Sequence, residues 1–230
     1  MFSVVLDEIC VLLDSYKGRD KILRTLCYST KLIGGASSNK LLTEKMLKFS
    51  KIMSATRTTL RLLDDFPMLK YNLEYGFGKE EPDKLMAALG VTTNIIDQLY
   101  YPVEKVGWLA ENNLISGVDT NKWDTISSIF WVASIYLTLM RSLHFVAVLQ
   151  KHKHCVTLKN DENTSLEQLL SRQHYEILTC VRLSLDFVHA VNTLPKGFLW
   201  SSKLNTWQVG LIATMSSVLG IYQIYAKKKL

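Results

Sequence analysis

Apolar residues recur every three or four positions over residues 2–16, which places them on one face of a helix. The same spacing predicts further helices over residues 20–33, 41–66, 91–110 and 165–194. Glycine and proline mark their ends. We expect the second helix to stop at Gly34-Gly35, the third to stop before Pro67, and the fourth to bend or break at Pro102. Strand-like alternation is hard to find, so the sequence predicts an all-α protein.

The chain ends in an uncharged run, residues 205–226. Three lysines follow it: Lys227, Lys228 and Lys229. Because a helix rises 1.5 Å per residue, about 20 residues cross a hydrocarbon core of roughly 30 Å. Trp207 and Tyr222 lie near opposite ends of the run, where aromatic residues favour the membrane interface. We expect a final span with its lysines anchored in the headgroups. The alternatives are a buried helix of a soluble core and, for the lysines, a retrieval signal read by coatomer.

An earlier apolar run, residues 125–149, is neutral as far as Met140 and then carries Arg141. An arginine in the bilayer centre costs several kcal/mol, whereas near the end of a span its side chain can reach the interface. We therefore expect residues 126–143 to cross the membrane. A hairpin that dips into one leaflet and a helix on the surface stay open as alternatives. The positive-inside rule does not orient the spans, because basic residues flank both sides.

These runs predict a helical integral membrane protein, with an amphipathic helical region ahead of two membrane segments. Residues 1–124 are expected to form a cytosolic helical region, 125–149 the first membrane segment, 150–203 an inter-span loop with an amphipathic helix, and 204–230 the second membrane segment with its basic tail. Small residues in that last segment either let another helix approach closely or face lipid. They are Gly210, Ala213, Ser217 and Gly220.

The most informative segment of the N-terminal half is the predicted helix at residues 43–65. Its apolar stripe recurs at steps of three and four: Met46, Phe49, Met53, Thr56, Leu60 and Leu63. Basic residues fall mostly on the opposite arc: Lys48, Lys51, Arg57 and Arg61. A narrow apolar face with a basic face opposite it is typical of a helix that binds anionic lipid and wedges into one leaflet. The alternative is an ordinary helix that packs its stripe onto a neighbour.

Charge and motifs argue against several other classes of function. The net charge of +6 suits a surface that meets anionic lipid, and no helix-turn-helix, zinc-finger or RNA-binding pattern supports a nucleic-acid partner. The sequence has no phosphate loop, nucleophile elbow or zinc-protease motif, so we expect no enzyme, no cofactor and no metal site. The first residues lack the pattern of a cleavable signal. The four cysteines, in no C-x-x-C spacing, indicate a reducing compartment.

Four ordered stretches resemble the peroxin-11 family of peroxisomal membrane proteins, most closely its gamma type. They are "YKGRDKILRTLCY" at 16–28, "RTTLRLLDDF" at 57–66, "DQLYYPVEKVGWLAE" at 97–111 and "TLPKGFLWSSKLNTWQVGLIATMSSVLGIYQIY" at 193–225. The residues singled out in the first and third stretches are Gly18, Arg19, Asp20, Lys21, Tyr100, Tyr101, Pro102 and Trp108. The likeness covers most of the chain apart from residues 150–164.

The resemblance implies a multi-pass protein of the peroxisomal membrane with both termini in the cytosol. It implies a role in membrane protrusion and elongation before peroxisome division. The partners it implies are the lipid bilayer, other copies and other family members in homo- and hetero-oligomers, and the fission adaptor that recruits a dynamin-like GTPase. In the family a basic amphipathic helix bends the membrane, and residues 43–65 match it best. The alternative function is an oligomeric solute channel, for which the spans offer few polar residues.

Overall fold

The computed structural model describes residues 2–159 and 163–227. Their α-helices are α1 (Phe2–Asp14), α2 (Tyr16–Ala36), α3 (Lys40–Leu60), α4 (Asp65–Tyr75), α5 (Lys84–Glu111), α6 (Thr120–Lys159), α7 (Asn163–Asn192) and α8 (Thr206–Lys227). A short 3₁₀ turn, Arg61–Leu63, joins α3 to α4. No strand occurs among the described residues, and the prediction of an all-α fold is confirmed.

The described helices form two compact units. Unit 1 holds α1, α2, α3 and α8, and unit 2 holds the 3₁₀ turn and α4 to α7. The packing thus divides the chain after Leu60 and after Lys203. The four segments predicted above divide it by its expected relation to a membrane, and they stay a prediction. Lys228 and Lys229 lie outside the described residues.

α2 is the central helix of unit 1, and both α3 and α8 pack on it. α8 runs antiparallel to α2, because Gly210 approaches Leu32 whereas Gly220, nearer the end of α8, approaches Lys21. A Cβ added at Gly210 would lie 2.4 Å from the backbone nitrogen of Leu32, so only glycine allows this distance between the helices. The predicted close approach at the small residues of α8 is therefore confirmed at Gly210.

α3 also runs antiparallel to α2. Gly34, near the end of α2, contacts the side chain of Leu47, and Asp20, near its start, pairs with Arg57 at the end of α3. Because both α3 and α8 pack on α2, the residues of α2 show which positions along α3 lie at the same height as which positions along α8. This register decides below which charges lie beside the apolar α8.

α6 is the central helix of unit 2, between α5 and α7, while α4 packs on α5. α5 is antiparallel to α6, because Gly107 at the end of α5 approaches Trp123 at the start of α6. α7 is antiparallel to α6 as well, since the ring of His189 lies 5.4 Å from that of Trp131. The core between α6 and α7 is formed by Ile135, Leu139, Cys180, Leu183 and Ala190.

Two predicted helix ends were wrong because glycine and proline have other roles there. α2 continues through Gly34 and Gly35 to Ala36, and neither glycine has a positive φ. A Cβ at Gly35 would lie 2.5 Å from the backbone of Trp207, so this glycine serves close packing rather than helix termination. α3 ends at Leu60, short of the predicted Phe66, and Pro67 lies in the first turn of α4, where its missing N–H costs nothing.

The predicted start of the fourth helix was also wrong. α5 begins at Lys84, not at residue 91, because the Asp83 carboxylate accepts a 2.8 Å hydrogen bond from the Met86 amide and caps the first turn. α5 then passes Pro102 without interruption. The connection before it, residues 76–83, is irregular.

Two of the described helices are long and apolar enough to cross a membrane. The qualifying segments are Thr120–Lys153 within α6 and Thr206–Ala226 within α8. They coincide with the two apolar runs of the sequence.

Candidate membrane-binding surfaces

α3 contains most of the predicted membrane-binding helix, and its side toward α2 carries polar residues beside the apolar Met46 and Leu47, which lie against Gly34. Ser50 is buried there, with its hydroxyl 3.5 Å from the thiol of Cys27. The guanidinium of Arg57 lies 2.8 Å from the carboxylate of Asp20, and these side chains are only 12% and 22% exposed. α3 therefore docks on α2 through a thiol–hydroxyl contact and an ion pair.

The outward side of α3 combines apolar and cationic side chains. Its exposed apolar residues are Leu41, Leu42, Phe49, Ile52 and Leu60. The exposed lysines are Lys40, Lys45, Lys48 and Lys51. Within the predicted stripe, Phe49, Thr56 and Leu60 are exposed, and Met46 and Met53 are half-buried. Leu63 is exposed but belongs to the 3₁₀ turn, beyond the end of α3.

The two arginines of the predicted basic arc are engaged within the protein. Arg57 pairs with Asp20 in unit 1, as described. Arg61 lies in unit 2, where its guanidinium pairs with Glu104 and the side chains are 26% and 13% exposed. The basic arc available to a headgroup is thus formed by lysines, including Lys45, which the sequence analysis did not select.

α2 adds apolar residues to the outward face of α3. Leu26 and Ile33 are exposed, on the side of α2 turned away from both α3 and α8. Phe49 precedes the buried Ser50 by one position and Leu60 follows it by ten, so helical geometry turns both about a quarter turn away from α2. For antiparallel right-handed helices this direction coincides with that of Leu26 and Ile33. Helical periodicity alone does not single out these two residues, because their helix is otherwise charged.

The opposite side of the α2–α3 pair is cationic, and α8 packs on the part of it that α2 forms. Arg24 donates a 3.5 Å hydrogen bond to the hydroxyl of Ser216, and Lys21 lies against Gly220. Lys51 follows Ser50 on the same side of α3, by the same helical geometry. The α2–α3 pair is therefore amphipathic as a unit, with its apolar face free and α8 packed on the α2 part of its cationic face.

α8 has two distinct faces. Small and polar side chains are buried on the face toward α2: Gly210, Ala213, Ser216, Ser217, Gly220 and Gln223. Large apolar side chains are exposed on the opposite face: Trp207, Leu211, Met215, Val218 and Tyr222. The large apolar side chains of this second face are of the kind that a membrane helix exposes to lipid. Lys227 is the last residue of α8.

The first family stretch shapes the junction of α1, α2 and α3. The Ser15 hydroxyl accepts a 3.0 Å hydrogen bond from the Gly18 amide and caps α2. A Cβ at Gly18 would lie 1.9 Å from the carbonyl oxygen of Leu12, so the turn from α1 into α2 requires glycine. The guanidinium of Arg19 donates to the carbonyl of Leu13. Asp20 and Lys21 face α3 and α8, as described.

The second and third family stretches meet in unit 2. The Tyr100 hydroxyl donates a 2.6 Å hydrogen bond to Glu104, the carboxylate that also pairs with Arg61. Lys105 pairs with Asp65 at 2.7 Å and anchors the start of α4. Tyr101 and Trp108 are half-buried on α5, and Pro102 is exposed. Burial raises the pKa of Tyr101 to about 12.

Several acidic and basic side chains of unit 2 pair with one another or face α6. Arg141 pairs with Glu81, and His144 lies 2.6 Å from Asp83. Asp97 of α5 faces Ser134 of α6, and burial raises its pKa. No group of three or more His, Cys, Asp or Glu side chains that could hold a metal ion occurs in the described part of the chain.

Comparisons with known proteins match this chain over nearly its whole length. The profile of the family Peroxisomal biogenesis factor 11 (PEX11) matches residues 6–225. Peroxisomal membrane protein 11C of Homo sapiens is 34% identical over 222 residues, covering 92% of this chain and 90% of the relative. The Mus musculus protein of the same name is 33% identical, covering 95% and 94%. Human peroxisomal membrane protein 11A is 22% identical, covering 66% and 62%. No solved structure matches.

Proposed function

Because the chain belongs to the Peroxisomal biogenesis factor 11 family, we propose that it reshapes the peroxisomal membrane by inserting the apolar face of the α2–α3 pair into one leaflet. Family membership assigns the chain to peroxisome biogenesis and to the proteins of the peroxisomal membrane. The observation that supports this mechanism is the shared face of Leu26, Ile33, Phe49 and Leu60, exposed opposite a cationic face. The membrane protrudes and elongates before peroxisome division.

The register within unit 1 constrains how α8 and the α2–α3 pair use the membrane. Arg24 contacts Ser216, halfway along α8, and Ser50 contacts Cys27, one turn after Arg24. The exposed Lys48 and Lys51 therefore lie level with the middle of α8. At the bilayer centre each cation costs several kcal/mol. Unit 1 thus does not cross a bilayer in its packed form.

The mechanism accordingly has a docked and an open state. In the docked state α8 covers the α2 part of the cationic face of the α2–α3 pair. In the open state α8 crosses the bilayer, while the pair lies in the headgroup layer with its apolar face down and its cations near anionic lipid. The pair then expands one leaflet only, and the tether through the chain keeps its local concentration high. Insertion into the cytosolic leaflet favours protrusion.

Partners and topology complete the proposal. α6 and α8 act as the two spans of a multi-pass protein, which returns the chain to its starting side and keeps both termini cytosolic. Homo- and hetero-oligomers with relatives concentrate the inserted pairs, and the fission adaptor that recruits a dynamin-like GTPase acts on the elongated membrane. The paralogous relatives 11A and 11C make oligomers among family members plausible.

Cross-linking tests the docked and open states. Cysteines replace Lys21 and Gly220, which lie side by side, in a chain whose native cysteines are serine. A cleavable cross-linker with two thiol-reactive groups joins them in detergent before reconstitution into anionic vesicles. We expect the linked protein not to tubulate vesicles in electron micrographs, and cleavage of the linker to restore tubulation. Unchanged tubulation by the linked protein would show that α8 stays docked on α2.

A matched lock holds α3 on α2 and leaves α8 free. Ser50→Cys places a second thiol against Cys27, since the present hydroxyl lies 3.5 Å from the Cys27 sulfur. We expect the oxidised variant to tubulate vesicles like the wild type. Loss of tubulation in this variant alone would mean that α3 acts by itself, as the sequence analysis expected of residues 43–65.

Negative charge introduced into the apolar face of the α2–α3 pair tests insertion itself. The double variant Phe49→Glu/Leu60→Glu should lose tubulation, whereas Leu73→Glu, at an exposed position of α4, should retain it. Vesicles filled with a small dye distinguish the solute channel, because dye loss without tubulation would support a channel and contradict the wedge.

A further inference from the structure

A cavity of about 900 Å³ opens in unit 2, between the α4–α5 connection, α6 and α7. All of its lining residues belong to unit 2, and the inference about it rests on the proposed function only in taking α6 as a membrane span. Its walls carry aromatic rings, guanidinium groups and carboxylates from different elements. Such a mixture is unusual for a simple packing gap, which would be lined by apolar side chains.

The α6 wall presents Arg141, held in place from the α4–α5 connection. Its guanidinium lies 2.5 Å from Glu81 and 5.8 Å from the ring centre of Tyr75. The Tyr75 hydroxyl donates to the same carboxylate at 3.0 Å. Burial and this hydrogen bond raise the pKa of Tyr75 to about 12, so the phenol keeps its proton. The Nε of Arg141 is buried and has no hydrogen-bond partner in the described part of the chain.

The α7 wall presents a second guanidinium. Arg172 lies over the ring of Phe145, at 5.1 Å from its centre, and stays exposed to the cavity. Glu176 is one turn away, and burial raises its pKa, against the opposing effect of Arg172 and Arg141. Two guanidinium groups across one cavity suit a phosphate, whose oxygens accept several N–H hydrogen bonds at once.

The charges of the cavity decide between an anion and a zwitterion. Three cationic side chains line it (Lys79, Arg141 and Arg172), against four carboxylates (Glu74, Glu80, Glu81 and Glu176). A simple anion would gain no net attraction from this set. The rings of Tyr71, Tyr75 and Phe77 add faces that attract an ammonium group. The cavity therefore complements a ligand with a phosphate and an ammonium close together.

The position of the cavity along α6 points to a lipid as the source of that ligand. Arg141 is the first charged residue after the neutral stretch that begins at Thr125. When that stretch crosses the hydrocarbon core, Arg141 lies at headgroup depth. We propose that this cavity binds the headgroup of a zwitterionic phospholipid, with the phosphodiester between Arg141 and Arg172 and the ammonium against the rings and carboxylates.

Native mass spectrometry of the full-length protein in detergent tests this proposal. The probes are phosphatidylcholine, phosphatidylethanolamine and phosphatidylglycerol, each added to delipidated protein. We expect both zwitterionic lipids to be retained better than phosphatidylglycerol. Arg172→Gln should lower their retention about tenfold, the effect of losing one charge-assisted contact to phosphate. Arg172 makes no ion pair among the described residues, so this variant should fold, as circular dichroism will check. Lys151→Gln, an exposed site on α6 outside the cavity, is the matched control.

Three results would contradict the proposal. Equal retention by Arg172→Gln and Lys151→Gln would place the lipid elsewhere. Preferential retention of phosphatidylglycerol would show that the cavity selects net negative charge and not a zwitterion. Displacement of phosphatidylcholine by inorganic phosphate alone, at matched concentration, would identify a free-phosphate site without a lipid.

Discussion

The two units differ in where they place charged side chains around their apolar helices, α6 in unit 2 and α8 in unit 1. In unit 2, Asp97 faces α6, and Arg182 and Asp186 pair along α7 at 3.6 Å with the carboxylate nearly buried. The outward residues of α5 and α7 at these levels are apolar, among them Ile95 and Val181. Unit 2 thus directs its mid-helix charges inward, and its bundle can stay packed beside a lipid phase.

Unit 1 places mid-helix charge at its surface. Lys48 and Lys51 of α3 are exposed at the level of the middle of α8. The inner seam between α2 and α8 is polar too, through Arg24 and Ser216. Because lysines at this level cannot enter hydrocarbon cheaply, a span formed by α8 would require unit 1 to open, whereas a span formed by α6 would not require this of unit 2. The hydropathy of a helix therefore indicates a span, but the charges of its neighbours decide whether the packed arrangement can accompany it.

The largest effect on stability is expected from a substitution that separates α2 from α8 in unit 1. Gly210→Leu forces a side chain into the backbone of α2, where even a Cβ would lie 2.4 Å from Leu32 N. We expect unit 1 to lose about 3 kcal/mol or more of stability in detergent, measured by denaturant unfolding. Since only the docked state suffers, vesicle tubulation should rise.

Val218→Leu is the control for this change, because Val218 is exposed on the opposite face of α8. It should alter unfolding by less than about 0.5 kcal/mol. Equal stability of the two variants would mean that α2 and α8 are not closely packed, and the contrast between the units would fail.

A smaller effect is expected at the ion pair that holds the α4–α5 connection on α6 in unit 2. Glu81→Gln leaves Arg141 without its carboxylate partner, and side-chain exposures of 31% and 12% indicate partial desolvation of the pair. We expect a loss of about 2 kcal/mol, between the values of exposed and fully buried pairs. Thermal unfolding in detergent measures it.

Glu80→Gln is the matched control, since this neighbouring carboxylate is exposed. If Glu80→Gln lost as much stability as Glu81→Gln, the effect would come from the summed charge of the α4–α5 connection and not from the Arg141–Glu81 pair. That result would remove the ion pair as the reason for the packing of this loop.

Much of the architecture was predictable because helical periodicity depends on local sequence. The apolar runs at residues 125–149 and 205–226 lie within α6 and α8. Gly210 also fulfilled the expectation of a close helix contact. By contrast, the residue type of Gly34 and Gly35 predicts a helix end, although both serve the same kind of contact inside α2. A glycine in a helical pattern has both uses, and only the neighbouring helix decides between them.

The candidate surface was less predictable because it depends on partners distant in sequence. Arg57 and Arg61 fit a basic arc by spacing, yet Asp20 and Glu104 pair with them across long stretches of chain. Leu26 belongs to the candidate surface only because it lies beside the exposed apolar residues of α3. Periodicity reports which residues share a face of one helix. It carries no information on which face of a second helix is adjacent.

The smallest expected effect sharpens the statement that unit 2 turns its charge inward. Burial raises the pKa of Asp97 above that of the unfolded chain, so the protonated carboxyl is favoured in the folded state. Stability from this group is fully present below the ordinary aspartate pKa of about 3.9 and is lost as pH rises through the folded-state pKa. Asp97→Asn, which cannot ionise, should therefore be more stable than the wild type at neutral pH, by about 1 kcal/mol or less.

The difference in thermal stability between wild type and Asp97→Asn should shrink as the pH falls from about 7.5 to about 4.5, because the wild-type carboxyl then takes up its proton. Other groups titrate over this range, so Glu44→Gln, at an exposed position of α3, supplies the baseline. A pH-independent difference would mean that Asp97 is solvated in the folded protein. The inward direction of charge would then rest on the Arg182–Asp186 pair and on the Arg141–Glu81 pair. Unit 2 would have to open beside lipid at the level of Ser134, as we propose for unit 1 at the level of Ser216.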